Sequence, residues 1–223
     1  MIASESFDKL LIKSQEFENE KLPNESEDLI WEQFKSGSQS ALTYIYRNYT
    51  NLLFNYGFQF SSDKHLIKDC LQDLFMELIR HRDQLSPTSS IKFYLLKSFR
   101  NKLIKTIQKN NRQRPLENFL PKVLFTISVS AEAKMINAQL DADKQRILQD
   151  SLNKLPPLQR EALVLYFYEG LKYNQIAEML SIKVKSSRAL VYRAIDSLGE
   201  LLDPYRDTMI TFLTLITVVK SLI

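Results

Sequence analysis

Glycine, cysteine and histidine are scarce: the 223 residues hold four glycines, one cysteine and two histidines. Gly37, Gly57, Gly170 and Gly199 lie far apart, so no Gly-rich phosphate loop of the P-loop or dinucleotide type can be built. Cys70, His65 and His81 supply neither a disulfide framework nor a Cys/His zinc site. A Gly-x-Ser-x-Gly elbow is also absent. Most common enzyme chemistries therefore lack their parts. The start, Met1 to Asp8, is polar and acidic, without a basic n-region and an apolar h-region, and so reads as no secretory signal. A lone cysteine fits a reducing compartment, and the expected location is the cytoplasm.

What is present favours helices. Hydrophobic residues make up 44% and charged residues 25%, ordinary proportions for a soluble globular protein. Low glycine and long stretches rich in Leu, Lys, Gln and Glu predict an all-α chain, as one large domain or two small ones. The net charge of +4, from 30 basic and 26 acidic residues, says little until its distribution is considered.

Phe7, Leu10, Leu11 and Phe17 predict a short amphipathic segment over residues 4–18, interrupted by Pro23. Ser26 is the expected N-cap of a helix carrying Leu29, Ile30, Trp31 and Phe34, which Gly37 ends. A second helix follows from Ala41 to Phe60. Ser62 or Asp63 caps a third, with Leu66, Ile67, Cys70, Leu71, Leu74, Phe75, Leu78 and Ile79 on one apolar stripe and Asp69, Gln72, Asp73 and Met76 opposite. After Pro87, a fourth helix spans about Ser90 to Asn110. Residues 115–140 read as a linker, with an apolar patch from Val123 to Val129 and helix resuming near Ala131. Beyond Pro156-Pro157, helical pieces are expected over 157–169, 173–180 and 186–202, with Gly170 as the C-cap of the first.

Three constellations carry the functional argument. From Lys92 to Arg114 there are eight basic residues, Lys92, Lys97, Arg100, Lys102, Lys105, Lys109, Arg112 and Arg114, and no acid. Phe93, Tyr94 and Phe99 are interleaved. Cations for phosphates and rings for base stacking suit DNA; a solvated helix face with core aromatics is the alternative. The second constellation is a helix-turn-helix. Ile176, Ala177 and Leu180 point inward, Ser181 to Lys185 form the turn, and Ser186 caps the next helix. Val191, Ala194, Ile195 and Leu198 form that helix's buried stripe, with Ser187 also inward. Lys185, Arg188, Ala189 and Tyr192 point out. Between Lys183 and Arg193 there are four basic residues and no acid, while Asp141 to Asp203 as a whole carries nine of each sign. A single cationic face favours major-groove docking over a ligand-free bundle. The third is the Asp69/Gln72/Asp73 face, which spacing alone leaves as a solvated surface.

The order of these parts resembles the extracytoplasmic-function sigma factors, small two-domain members of the sigma-70 family. Asp69-Cys-Leu-Gln-Asp-Leu-Phe75 is similar to the family's Asp-x-x-Gln-Glu-x-Phe signature. Tyr94-Leu-Leu-Lys-Ser-Phe-Arg-Asn101 is similar to its Trp/Tyr-Leu-x-x-x-x-Arg-Asn helix. Leu155-Pro156, Arg160-Glu161, Gly170 to Tyr173, Ile176 to Glu178 and Arg193-Ala194 match its second DNA-binding domain in order and spacing. The resemblance departs at Ser186-Ser187, where members often carry Thr-Val, and at Leu190, where a basic residue is usual.

The resemblance implies core RNA polymerase and promoter DNA as partners, and an anti-sigma factor as a further one, with no catalytic residues, no metal or other cofactor and no small-molecule substrate. Asp69, Gln72 and Asp73 become polymerase-docking contacts, with Phe75 as core support. Lys92, Tyr94, Lys97, Arg100, Asn101 and Lys105 belong to the −10 side. Lys183, Lys185, Ser186, Arg188, Ala189, Tyr192 and Arg193 belong to the −35 side, with Arg193 on phosphate. The implied organisation is an extension (1–26), a region 2-like domain (27–114), a linker (115–140), a region 4-like domain (141–203) and an apolar tail (204–223). Two rivals are a helix-turn-helix repressor or activator that needs no polymerase, and a membrane-associated regulator held by its tail. From Thr208 to Val219 the tail has no charge, but it is short of the ~20 apolar residues of a spanning helix. Its simplest place is against the second domain, and the alternative is over a polymerase- or DNA-binding surface.

Overall fold

The computed structural model describes residues 26–111 and 142–205. The amphipathic segment expected over 4–18, the linker with its Val123 to Val129 patch and resumed helix, Arg112 and Arg114, and the 208–223 tail lie outside the described residues. Among the described residues every regular element is helical, as the composition predicts. The chain divides into two compact units, Met1–Pro121 and Lys122–Ile223.

The first unit contains α1 (Glu27–Lys35), α2 (Gln39–Gly57), α3 (Lys64–Arg80), a 3-10 turn (Arg82–Gln84) and α4 (Ile91–Asn111). Helix α4 lies against α1, α2 and α3. Its Ile91, Leu95, Leu96, Phe99 and Leu103 are fully buried, beside Trp31, Leu53, Ile67 and Phe75. The apolar stripe read for α3 is the one that packs: Ile67, Cys70, Leu71, Leu74, Phe75 and Leu78 are buried. Asp63, not Ser62, caps α3, its carboxylate accepting from the His65 and Leu66 amides. Ser38 caps α2 by accepting from the Ala41 amide. Ser26 stands at the N-cap of α1 as expected, in extended conformation and without a side-chain cap bond. At Gly57 the chain passes so close to the core that a Cβ would lie 3.0 Å from Ile67 and from the Phe99 ring.

Three long-range hydrogen bonds fasten α1. The Trp31 indole donates to the Ser86 carbonyl at 2.9 Å. The Glu27 carboxylate accepts from the Tyr49 hydroxyl at 2.8 Å and from the Ile91 amide at 2.8 Å. Glu27 thus satisfies an orphan N–H at the start of α4, the role usually given to a local N-cap residue.

The second unit contains α5 (Ala142–Lys154), α6 (Pro157–Leu163), a π turn (Val164–Tyr168), α7 (Tyr173–Leu180), α8 (Val184–Leu202) and a 3-10 turn (Asp203–Tyr205). The single helix expected over 157–169 therefore changes pitch at Val164, and the Glu169 amide reaches back to the Val164 carbonyl. Gly170 follows with φ +66°, the left-handed geometry that closes a helix end at least cost in glycine. Arg160 is buried and clasps the end of α5, donating to the carbonyls of Leu152 at 2.8 Å, Leu155 at 2.7 Å, and Asn153. Burial lowers its guanidinium pKa from the ordinary value.

Candidate polymerase and nucleic-acid interfaces

Helix α3 turns Asp69 and Asp73 to solvent, with Gln72 between them partly exposed. The face is backed by a firm layer: Phe75 is buried with its ring 5.0 Å from Tyr46, and Cys70 is buried beneath the carboxylates. Burial pushes the Cys70 thiol up; the Thr106 hydroxyl opposes that, and Asp73 adds to it. Helix α4 reaches this face through Lys102, whose ammonium lies 2.7 Å from Glu77 and 3.9 Å from Asp73. Lys102, one of the cations of the basic run, is thus committed to carboxylates of α3.

Along α4, Asn101 and Lys105 are exposed, and Lys92, Tyr94, Lys97 and Arg100 are partly exposed. Tyr94 packs its ring 4.9 Å from that of Trp31. Burial raises its phenol pKa, with Ser98 opposing. Phe99, read from the sequence as one of three rings available for stacking on bases, is fully buried against the first core. Its side chain falls on the same face as Leu95, Leu96 and Leu103, so packing consumes it; Phe93 and Tyr94 remain partly exposed.

In the second unit, α7 and α8 form the helix-turn-helix. Ile176, Ala177 and Leu180 are buried as expected. The turn is tighter than the sequence suggests. Ser181 takes the left-handed conformation (φ 56°, ψ 44°), and the Ile182 amide bonds back to the Ala177 carbonyl at 2.9 Å. The chain is reversed by Lys183, so α8 begins at Val184 with Lys183, not Ser186, in the N-cap position. Ser186 sits inside the first turn and is exposed. Ser187 is fully buried, its hydroxyl within bonding distance of the carbonyls of Tyr173 at 2.7 Å and Val184 at 2.9 Å. Where a branched apolar side chain would only pack, this serine ties α8 to the start of α7. The buried stripe of α8 is Ser187, Val191 and Ala194; Ile195, expected inside, is 39% exposed, and Leu198 is half-buried.

Lys183, Lys185, Arg188, Tyr192 and Arg193 are exposed and Ala189 is partly exposed, so these residues share the outer side of α8 and its N-terminus. The Arg193 guanidinium folds along the helix to donate to the Ala189 carbonyl at 3.2 Å. The Arg188 guanidinium lies over the Tyr173 ring, 5.3 Å from its centroid. Tyr173 in turn stacks on Tyr166, with ring centroids 4.9 Å apart and planes 14° from parallel. Hydrogen bonding with Tyr166, then burial and the neighbouring Tyr166 and Tyr192 phenols, push the Tyr173 pKa up to about 12. Tyr166, Tyr173, Arg160 and Glu27 were not legible as site or anchoring residues. Each acts through a partner that no helical spacing connects to it, although Tyr173 and Arg160 stand within matched motifs.

Among the described residues no group of His, Cys, Asp and Glu is placed to hold a metal ion. Nor is any described helix long and apolar enough to cross a membrane.

Comparison with known proteins agrees with this layout. The family models for Sigma-70 region 2 and Sigma-70, region 4 match residues 45–113 and 145–198, in that order. Together they take in more than half of the chain. The ECF RNA polymerase sigma factor SigM of Bacillus subtilis is 27% identical over 150 residues, 67% of this chain and 88% of that protein. The ECF RNA polymerase sigma-E factor of Haemophilus influenzae is 23% identical over 177 residues, 78% of this chain and 93% of that protein. In fold, the chain is similar to CnrH, solved in complex with the cytosolic domain of CnrY, with a TM-score of 0.54 and 21% identity over 81% of this chain and 99% of that one. It is also similar to the sigma factor RpoE of Bartonella quintana, solved with the anti-sigma factor NepR, with a TM-score of 0.51 and 22% identity over 71% of this chain and 94% of that one. With a region 2 match on the unit that carries the acidic face and a region 4 match on the unit that carries the helix-turn-helix, the chain belongs to the sigma-70 family, among its extracytoplasmic-function sigma factors.

Proposed function

We propose that this sigma factor divides its work among three outward faces. The protein binds core RNA polymerase and directs it to promoters through −10 and −35 elements. Sigma factors are not enzymes, and in our reading this chain contributes no catalytic group; the bond-forming chemistry is the polymerase's. Asp69, Gln72 and Asp73 on α3 dock on the polymerase. Lys92, Tyr94, Lys97, Arg100, Asn101 and Lys105 on α4 face the opened −10 region. Lys183, Lys185, Ser186, Arg188, Ala189, Tyr192 and Arg193 meet the −35 duplex, Arg188 at base edges and Arg193 at phosphate. Residues 27–114 form the first functional module, 115–140 the linker, and 141–203 the second, with an extension before and an apolar tail after.

The observation that carries this reading is that the two sigma-70 matches each fall on a unit whose charged helix turns outward. The protein works in the cytoplasm, and an anti-sigma factor, the kind of partner with which RpoE was solved, is its third partner. Reconstitution with core polymerase on a library of promoter fragments tests the assignment. Discrete start sites that depend on the added chain, with co-elution of chain and polymerase, are expected. Tight binding to a palindromic duplex by a dimer that ignores polymerase would overturn it.

A further inference from the structure

We infer that Tyr173 is a positioning residue for promoter reading: its ring, stacked on Tyr166, holds the Arg188 guanidinium in place before DNA arrives. This inference rests on the −35 role proposed above for α8.

The Tyr173 ring has both Tyr166 and Arg188 as neighbours. Tyr166, in the π turn, stacks nearly parallel on Tyr173, 4.9 Å between centroids. Tyr173, the first residue of α7, is also held by its own backbone, because the buried Ser187 hydroxyl of α8 reaches its carbonyl at 2.7 Å. Arg188 is the next residue in α8, and its guanidinium lies 5.3 Å from the Tyr173 ring centre. The backbone of Tyr173 is therefore tied to the helix that carries the arginine, and its ring contacts both Tyr166 and the Arg188 guanidinium. An exposed arginine otherwise samples many rotamers and loses that freedom when it engages a base. A cation held over an aromatic face has given up part of that freedom already, and a preorganised donor binds more tightly for the same contacts. The tyrosine needs no contact with DNA for this role. Its ring, rather than its hydroxyl, is the working part.

The test uses the full chain with core polymerase and a library of −35 sequences, comparing Tyr173→Leu, Tyr173→Phe, Arg188→Ala and the Tyr173→Leu/Arg188→Ala pair. Tyr173→Leu should weaken binding to the preferred site about two- to fivefold, the span of an exposed cation–π contact. It should flatten preference at the same base pair that Arg188→Ala flattens. Tyr173→Phe should restore both, and Tyr173→Leu should add nothing once Arg188 is alanine. An undiminished Tyr173→Leu effect in the Arg188→Ala background, or tighter binding by Tyr173→Leu, overturns the inference. If Arg188→Ala itself leaves the preferred sequence unchanged, the −35 assignment of Arg188 fails instead. A second measurement needs no destabilising variant: the 15N relaxation of the Arg188 Nε–H in DNA-free wild-type and Tyr173→Phe protein. Restricted motion in both is expected, and a freely reorienting side chain would overturn the inference.

Discussion

Helices α4 and α8 each carry a run of cations, and they are built in opposite ways. Helix α4 spends its inner face on large side chains: Ile91, Leu95, Leu96, Phe99 and Leu103 are all fully buried, with α1, α2 and α3 around them. Helix α8 buries little more than Ser187, Val191 and Ala194, all small, and leaves Tyr192 and Ile195 in solvent. A helix that enters a groove has to keep much of its circumference clear, and small side chains on the packed side let α5, α6 and α7 approach α8 closely. Helix α4 instead helps build the first core, and only an outer strip of it is left to meet a partner. The difference extends to the cations. Lys102 of α4 is tied to Glu77 and Asp73, whereas Arg188 of α8 is laid on a tyrosine.

The comparison breaks first at the cores. Phe99→Ala should destabilise the first unit by about 3–5 kcal/mol, and Val191→Ala the second by only about 1–2 kcal/mol, in denaturant titrations followed by circular dichroism. Equal losses would mean that α8 is as deeply anchored as α4. The double substitution Asp69→Ala with Gln72→Ala should weaken binding to core polymerase by about 2–4 kcal/mol, with an unchanged melting temperature. Polymerase binding as tight as the parent's would return that face of α3 to plain surface.

The cations sharpen the contrast within α4. Replacing Lys97 and Lys105 together by alanine should flatten the salt dependence of promoter binding by about 0.7–0.9 per lost phosphate contact. Lys102→Ala should leave that slope nearly unchanged and instead cost at most about 1 kcal/mol of stability, since its carboxylate partners are largely exposed. A slope that falls as far with Lys102→Ala would show that its ion pairs open on DNA. The smallest effect concerns the turn before α8. Ser181 is left-handed without being glycine, so Ser181→Gly should stabilise the second unit by about 0.5–1 kcal/mol, seen as a small rise in melting temperature. A loss of stability would mean that the serine side chain contributes more than its backbone strain costs.

The stripe of α3, the inward set Ile176, Ala177 and Leu180, and the inward Ser187 were all legible, because each follows from the 3.6-residue repeat within one helix. Phe99 was ambiguous for the same reason. Its spacing marks it as sharing a side with Leu95 and Leu103, but only the packing of α1, α2 and α3 decides that this side is closed. Ser186 misled as a cap because serine is a good N-cap wherever a helix starts. The start moved forward once Ser181 turned the chain within one residue. Ile195 fits the helical repeat yet is 39% exposed while its neighbour Ala194 is fully buried, so the packed side of α8 is narrower than the repeat suggests.

By itself the sequence determined the helices, their apolar faces and the order of the two modules, since these depend on residue spacing along a single chain segment and on the family's motifs. Tertiary structure alone decided that Glu27 would cap a helix beginning 64 residues away, that Arg160 would clasp the end of α5, that Tyr166 would stack on Tyr173 and that Arg188 would lie over the Tyr173 ring. A hydrogen bond or ring contact needs its partner within a few ångströms. Distance in space between residues on different helices is set by how whole faces pack, which no local repeat encodes.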